Sequence, residues 1–417
     1  MLSVNLNRET PWSSGTPYDI LKVLGGSDKT MIVGGAVRDW LNEEPVKDID
    51  FATKLLPKEA MQALLDSGFN VKPTGIEYGT ITVYSDNKSY EITSLRKDIL
   101  TDGRHAEVVF GGTWEDDANR RDFTVNALYA DEYGTILDVT GEGFRDLENK
   151  KLKFIGSPSK RIKEDYLRIL RYFRFLSKFL VNIDKKSLDS CIKYAKNLNI
   201  LSSERVLMEF NKILISDNSI IILDKMNKNK ILINLFRLAS IDNYKLNNNV
   251  LKKILLKLKD YSNRTNYPFI FYISFVIALL TQKESNKTAI LSVMIKKFKL
   301  SNFDKRLLFR NVNWLIGKEK MTQASVIKLW LDFGERDVKD LKDILLINNN
   351  IIKNDLVFYL NNPPPDFPVS GKDLLKIGLK EGKELGDALS KIRDWWIEKN
   401  CKPSHSECLD KVKSLKT

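Results

Sequence analysis

Residues 31–53 read MIVGGAVRDWLNEEPVKDIDFAT, and this stretch decides the fold of the front of the chain. An apolar run ends in the pair Gly34-Gly35, a short helix follows, and a second apolar stretch carries Asp48 and Asp50. Residues two apart on a strand share a face. The pattern therefore predicts Asp48 and Asp50 side by side on a strand, with Ile49 and Phe51 turned into the core. Mg²⁺ takes hard oxygen ligands, often one or two carboxylates together with substrate phosphates. A helix N-terminus offers unpaired N–H groups to an anion. Gly34 and Gly35 allow a phosphate close to the backbone, and Arg38 falls in the first helical turn. A lone D-x-D can equally be a solvated strand edge, but the GGxVRD ahead of it turns the reading towards a metal and a polyphosphate.

The chain is 417 residues long, enough for two to four domains, and its 43% hydrophobic content can build real cores. Its +13 net charge is unevenly spread. Residues 1–150 hold 16 basic and 26 acidic residues, a net of −10; the remainder holds 51 and 28, a net of +23. An acidic front suits a metal or nucleotide site, and a basic rear suits a polyanion such as nucleic acid. A genome rich in Lys, Asn and Ile codons would give the same excess without function. Three cysteines (Cys191, Cys401 and Cys408) make no disulfide framework and fit a reducing compartment. Cys401, His405 and Cys408 lack a fourth metal ligand. The N-terminal residues show no signal-peptide pattern, and the apolar run 269–280 is too short to span a bilayer and reads as a buried helix. The expectation is a cytoplasmic protein with no membrane segment.

Segments YGTITVYSD and SYEITSLRKD alternate like paired strands joined at Asp86-Asn87-Lys88. NALYADEYGTILDVTG predicts a second hairpin turning at Glu132-Tyr133-Gly134. From about Arg161 onward, apolar residues recur at helical spacing. The fold class is thus an α/β head followed by a long all-α part. Breaks fall near Gly156-Ser157-Pro158, Ser216-Asp217-Asn218 and Pro363-Pro364-Pro365, the last being unable to continue a helix. The polar stretch from Arg96 to Asn119 reads as a mobile loop.

Arg120-Arg121-Asp122-Phe123 precedes a strand expected near Thr124. Arg121 could fork onto a phosphate, or the pair could bind Glu115, Asp116 or Asp117 just upstream. Glu164-Asp165 is read as opening a helix on which Asp165 and Arg168, three apart, share a face. Arg171 and Arg174 extend that face as a positive stripe, with Leu167, Leu170 and Phe173 turned inward. A carboxylate beside a guanidinium can read a base edge, the acid accepting from an exocyclic amine. A helical ion pair is the plainer reading; adjacent arginines, however, repel unless an anion sits among them. Glu91 is either a third carboxylate beside Asp48 and Asp50 or an outward-facing strand residue.

The motifs GGAVRDWL…DIDFAT, RRDFTVNALYAD, EDYLRILRYFRF and SSERVLMEFNKIL occur in this order over about residues 30–215. Together they resemble the class II tRNA nucleotidyltransferases, the CCA-adding enzymes, and the related bacterial poly(A) polymerases. SGKDLLKIGLKEG resembles the tail of the long bacterial forms. The resemblance implies a polymerase-β-like mixed sheet with helices in a head (1–150), then a helical neck (151–216), body (217–362) and tail (363–417). It implies Asp48 and Asp50 as Mg²⁺ ligands and catalytic groups, with Glu91 the third catalytic candidate from the strand reading. Gly35 and Arg38 become triphosphate-side contacts, Arg121 and Asp122 the nucleotide-contacting pair, and Asp165 and Arg168 the amino-acid template for CTP and ATP, followed by Arg171 and Arg174. The implied partner is tRNA, its acceptor arm and elbow lying along the basic rear. The implied activity is CCA addition through two Mg²⁺ ions with loss of pyrophosphate. LRKDILTDGRHAEVVF resembles the flexible-loop region needed for the final A. With His at 105 and 405 alone, an HD phosphohydrolase site cannot be built. A poly(A) polymerase, a partial CC- or A-adding enzyme, and a non-catalytic RNA-binding protein with a decayed head are the competing readings. Trp395 and Trp396 are expected to pack rather than stack on bases.

Overall fold

Strands β1 (Leu2–Asn5), β2 (Thr30–Val33), β3 (Asp50–Thr53), β4 (Asn70–Gly75), β5 (Thr80–Ser85), β6 (Lys88–Ser94), β7 (Arg96–Asp102), β8 (His105–Phe110), β9 (Leu128–Ala130), β10 (Thr135–Asp138), β11 (Lys151–Leu152) and β12 (Asn182–Ile183) organise the front of the chain. Eight of them form one sheet in the order β1-β10-β9-β2-β3-β6-β5-β4. β3 and β6 run parallel and the other neighbours antiparallel, so the sheet is mixed. This computed structural model describes residues 2–6, 8–102, 105–179, 182–236, 270, 273–274, 277, 287–315, 322–332, 334, 338 and 354–414. They fall into two compact units, Met1–Asn248 and Asn249–Thr417.

Period-two alternation splits the sheet's side chains between two cores. Ile32, Phe51, Ile81 and Ile92 face Trp12, Trp40 and the helix α1 (Gly15–Val23). Val33 and Ala52 face Leu95, Trp114 and Tyr129 on the other side. Both expected hairpins are present. Asp86 and Asn87 turn the first at φ 52° and 59°, positive values suited to a tight two-residue turn. The second turns between β9 and β10 with Gly134 at φ 82°.

The remaining helices of this unit are α2 (Gly35–Leu41), α3 (Pro57–Asp66), α4 (Trp114–Arg120), α5 (Gly143–Glu148), α6 (Pro158–Glu164), α7 (Leu167–Phe179), α8 (Lys185–Tyr194), α9 (Ser203–Leu214), α10 (Ser219–Lys228) and α11 (Ile231–Leu235). α10 packs on α7 and α9, so the break between units falls at 248/249, inside the segment expected as body. The second unit holds α12 (Lys287–Phe298), α13 (Asn302–Leu315), α14 (Asn354–Asn361), α15 (Gly371–Lys376), α16 (Lys383–Glu398) and α17 (His405–Ser414). Trp396 is buried among Leu374, Ile392 and Cys408, its indole N–H donating to the Pro403 carbonyl at 3.0 Å. Trp395 packs on the same cluster, so both tryptophans serve packing. Most of the run 269–280 and of the Asn/Lys/Ile-rich stretch beyond 236 lies outside the described residues; Ile270, Ile273 and Ile277 are helical and buried. No described helix is long and apolar enough to cross a membrane.

Four local expectations need correction. Strand β3 begins at Asp50, so Asp48 precedes the strand rather than lying on it. Thr124–Asn126 is a 3-10 turn, and the strand after the arginine pair starts at Leu128. Glu164 ends α6, and Asp165, extended at φ −154°, separates it from α7. Asp165 then caps α7, because its Oδ1 accepts from the Leu167 N–H at 3.0 Å. Finally, the segment from Arg96 to Asn119 is no loop: β7 and β8 form a separate two-stranded ribbon, followed by α4.

Candidate active site

Between β2 and α2 the chain reverses at a single residue. Gly34 does so at φ 73°, ψ −117°, where an L side chain is strained. A Cβ there would also stand 3.3 Å from Nη1 of Arg121 and 3.6 Å from the Asn126 carbonyl oxygen. The glycine thus lets three segments meet: the start of α2, the end of α4 and the 3-10 turn.

A cavity of about 410 Å³ opens at this meeting point, within the roughly 300–1,000 Å³ typical of small-molecule sites. Of the expected residues, Gly35, Arg38, Asp50, Arg121, Asp122, Arg168, Arg171 and Arg174 line it. Asp48, Glu91 and Asp165 lie outside that lining. Gly34, Arg120, Asn126, Phe175 and Lys178 complete the wall. Seven cationic side chains face two carboxylates, so the cavity is electrostatically matched to an anion of high charge.

Protein carboxylates hold these cations from behind, which answers the expected repulsion along α7. Arg171 donates from Nε to Asp122 Oδ2 at 2.7 Å, with Nη2 2.6 Å from the same oxygen. Arg174 lies 2.7 Å from Glu209 Oε2, and Arg171 Nη1 lies 3.8 Å from Glu209 Oε1. Arg168 donates to Glu164 at 2.8 Å and, through Nη2, to the Arg120 carbonyl at 3.1 Å. Lys178 and Arg38 share Asp39, at 2.9 Å and 2.8 Å. Asn126 joins the walls: its Oδ1 accepts from Arg38, and its amide donates to Asp122 at 3.0 Å. Phe175 sits under Arg174 and Arg38, with guanidinium carbons 4.4 Å and 5.1 Å from its ring centre. Burial alone would raise the Asp122 carboxyl, but Arg171 and Asn126 bring it below its ordinary value.

The plainer reading of Arg120 and Arg121 holds in its partner, an upstream carboxylate, but the pair is largely buried rather than exposed. Both bind Asp117, whose side chain is 1% exposed. Arg121 Nε donates at 2.9 Å and the Tyr129 hydroxyl at 2.6 Å to Oδ2, while Arg120 donates to Oδ1. Burial works against this carboxylate, yet Arg121 and Arg120 hold its pKa down at about 2.

The acidic edge is arranged differently. Phe51 pairs with Ile92 in the parallel β3–β6 ladder, which brings Glu91 beside Asp50. Asp50 as a whole residue is exposed to solvent. Its carboxyl is pushed up to about 6, first by lost hydration, then by Glu91 and less by Asp48, with Arg121 opposing. Such a cluster of oxygen donors short of positive charge fits a hard divalent cation. Among the described residues no group of three or more His, Cys, Asp or Glu is drawn together tightly enough to hold a metal. The acidic edge is therefore an open set of donors, not a closed cage.

Asp165 and Arg168 do not pair with each other. Asp165 Oδ2 accepts from Arg205 of α9 at 2.5 Å, and Arg168 turns to Glu164 and the Arg120 carbonyl. Glu209 and Arg205 lie in the SSERVLMEFNKIL motif and Asn126 in RRDFTVNALYAD; sequence reading gave none of them a role. Arg205 and Glu209, four apart on one helix, were the available signal; Asn126, in a short turn, had none. In the tail, Cys408 is buried with Sγ 4.0 Å from the Pro403 carbonyl, and His405 Nε2 lies 3.7 Å from Asp373.

A family model described as the poly A polymerase head domain matches residues 30–153, and one described as a probable RNA and SrmB-binding site of polymerase A matches residues 181–241. A Danio rerio protein named CCA tRNA nucleotidyltransferase 1, mitochondrial, is 32% identical over 388 residues, covering 91% of this chain and 85% of its own length. A CCA-adding enzyme of Streptococcus gordonii is 38% identical over 197 residues, 47% of this chain and 48% of that enzyme. The crystal structure of the Bacillus stearothermophilus CCA-adding enzyme in complex with CTP superposes over 95% of both chains with a TM-score of 0.68 at 24% identity, a likeness of fold.

Proposed function

Since the chain belongs to the CCA tRNA nucleotidyltransferase family, we propose that it adds CCA to tRNA 3′ ends from CTP and ATP, without a nucleic-acid template and with release of pyrophosphate. One observation carries the reading: residues of the GGAVRD, RRD and EDYLR motifs, far apart in the chain, line one strongly cationic cavity beside an acidic edge. The four-part division at 1–150, 151–216, 217–362 and 363–417 is part of the proposal. So is a cytosolic location, which rests on three free cysteines; fractionation that finds the protein inside an organelle would overturn that assignment.

The nucleotidyltransferase fold implies a divalent metal, and we assign it as Mg²⁺ at Asp48 and Asp50, with Glu91 as the neighbouring carboxylate. Such an ion, when bound, lowers the pKa of the RNA 3′-hydroxyl and neutralises charge on the leaving pyrophosphate. The chain's own residues bind and orient. Arg38 and Arg121 receive the triphosphate beside Gly34 and Gly35, already held by Asp39 and Asp117 and so requiring little reorganisation. Asp122, fixed by Arg171 and Asn126, lies on the ribose side.

Asp165 and Arg168 read the base. A carboxylate offers about four acceptor sites and a guanidinium five N–H groups. Asp165 therefore keeps acceptors beyond those used by Leu167 and Arg205, and Arg168 keeps donors beyond those given to Glu164 and the Arg161 and Arg120 carbonyls. Cytosine and adenine both place an exocyclic amine next to a ring acceptor. Uracil and guanine present the reverse polarity at those positions and are refused.

The test is direct. The purified chain is incubated with tRNA lacking its 3′-CCA, with CTP, ATP and Mg²⁺, and the products are sequenced. CCA ends are expected. Long A tails would replace the reading with poly(A) polymerase, and a halt after CC with a partial adder.

A further inference from the structure

We infer that Asp117 is the positioning residue that aims Arg121 into the nucleotide cavity, an inference that rests on the nucleotidyl-transfer reading above. Asp117 does not itself line the nucleotide cavity. It lies on α4 with both carboxylate oxygens occupied, Oδ1 by Arg120 and Oδ2 by Arg121 and the Tyr129 hydroxyl. These donors come from two elements, α4 with its end and β9. A buried ion pair generally adds little stability over a well-packed apolar replacement. What this arrangement does supply is geometry.

Arg121 is fixed on three sides. Nε is committed to Asp117 at 2.9 Å, its guanidinium carbon stands 5.6 Å from the Tyr129 ring centre, and Nη1 faces the space that Gly34 leaves empty. Tyr129 is itself held edge-on against Trp114, with ring centres 5.1 Å apart. With Nε occupied from behind, the remaining N–H groups of the fork are directed towards the cavity, as suits oxygen atoms of a phosphate. Without Asp117 the guanidinium would be free to swing, and a misplacement of about 1 Å can cost about 10²-fold in rate.

The experiment is steady-state extension of tRNA lacking its 3′ end by the full chain, with nucleotide and tRNA titrated separately and thermal unfolding recorded for each variant. Asp117→Asn is expected to lower kcat/KM for CTP by about tenfold or more, while KM for tRNA stays within about twofold. Tyr129→Phe, which removes one donor and keeps the ring, should shift the CTP value in the same sense by about threefold. In an Arg121→Ala background, Asp117→Asn should add less than about twofold, because residues acting through one contact are not additive. The inference is overturned if Asp117→Asn multiplies the loss of Arg121→Ala. It is also overturned if the CTP and tRNA parameters fall together in proportion to the folded fraction. Should Asp117→Asn not fold, an unchanged CTP value for Tyr129→Phe overturns it. A wild-type chain that incorporates neither nucleotide would sink the activity itself, an outcome separate from these.

Discussion

Two sides of the same groove treat charge in opposite ways. On the arginine side, every cation with a structural task has a counter-charge behind it: Asp39 behind Arg38, Asp117 behind Arg121, Asp122 behind Arg171 and Glu209 behind Arg174. On the acidic side, Asp50 has Glu91 and Asp48 for neighbours, and its carboxyl stands at about 6. The difference teaches what each side awaits. The arginine wall is already held in place in the free protein, so in the proposed reaction it would receive phosphates without rearranging. The acidic edge is balanced only when a cation arrives.

The comparison can be broken most severely at Asp50. Asp50→Asn should reduce nucleotide incorporation by about 10³-fold or more, the scale of losing a principal electrostatic group, as measured by extension of tRNA lacking its 3′ end. Retained activity would place the metal elsewhere. At the arginine side, Glu209→Ala leaves Arg174 and part of Arg171 without their partner; breaking a buried pair costs about 3–5 kcal/mol, to be read from denaturant unfolding. Unchanged stability would mean that the wall is not balanced from behind. A smaller effect is expected at Asp165→Asn, which keeps the helix cap but changes the acceptor pattern. Discrimination against UTP and GTP should loosen by about 1–3 kcal/mol with tRNA affinity unchanged, and full discrimination would remove the template role.

The smallest effect concerns pH. The folded pKa of Asp50, about 6, lies above its ordinary value near 3.8. The folded state therefore binds the proton more tightly, and stability is lost as pH rises through that window. In the metal-free protein, Asp50→Asn should melt slightly higher than wild type at pH 7 and identically below pH 4. Mg²⁺ affinity of the wild type should fall as pH drops below about 6, since the ion must displace a proton. Calorimetry across that range checks both signs.

Much of this was legible because the informative spacings are local. Gly34-Gly35 before a helix, the alternation around Asp86-Asn87 and the apolar face of α7 each depend on neighbours a few residues away. What was missed depends on distance in the chain. Alternation extends the strand back to Asp48 because it does not mark where pairing begins; the β2–β3 ladder starts with Val33 opposite Asp50. Acidic residues suit a helix start, so Glu164 and Asp165 look alike in the sequence, although only Asp165 serves as the cap. The ribbon of β7 and β8 hid behind polar composition. Asp122 to Arg171 and Asp165 to Arg205 span 49 and 40 residues, and no periodicity announces such pairings. Asp117 was nearer to hand, since four residues before Arg121 on a helix is a contact distance, but its burial was not visible.

β3 lies inside the eight-stranded sheet, hydrogen-bonded to β2 on one flank and β6 on the other. Its amides have no free edge along which to fray, whereas β7 and β8 have only each other. Hydrogen exchange should accordingly run slowest around Phe51 and Ala52. Asp50, the strand-borne member of the proposed metal site, is therefore rooted in the last part of this unit to open, and the separate ribbon can breathe without disturbing it.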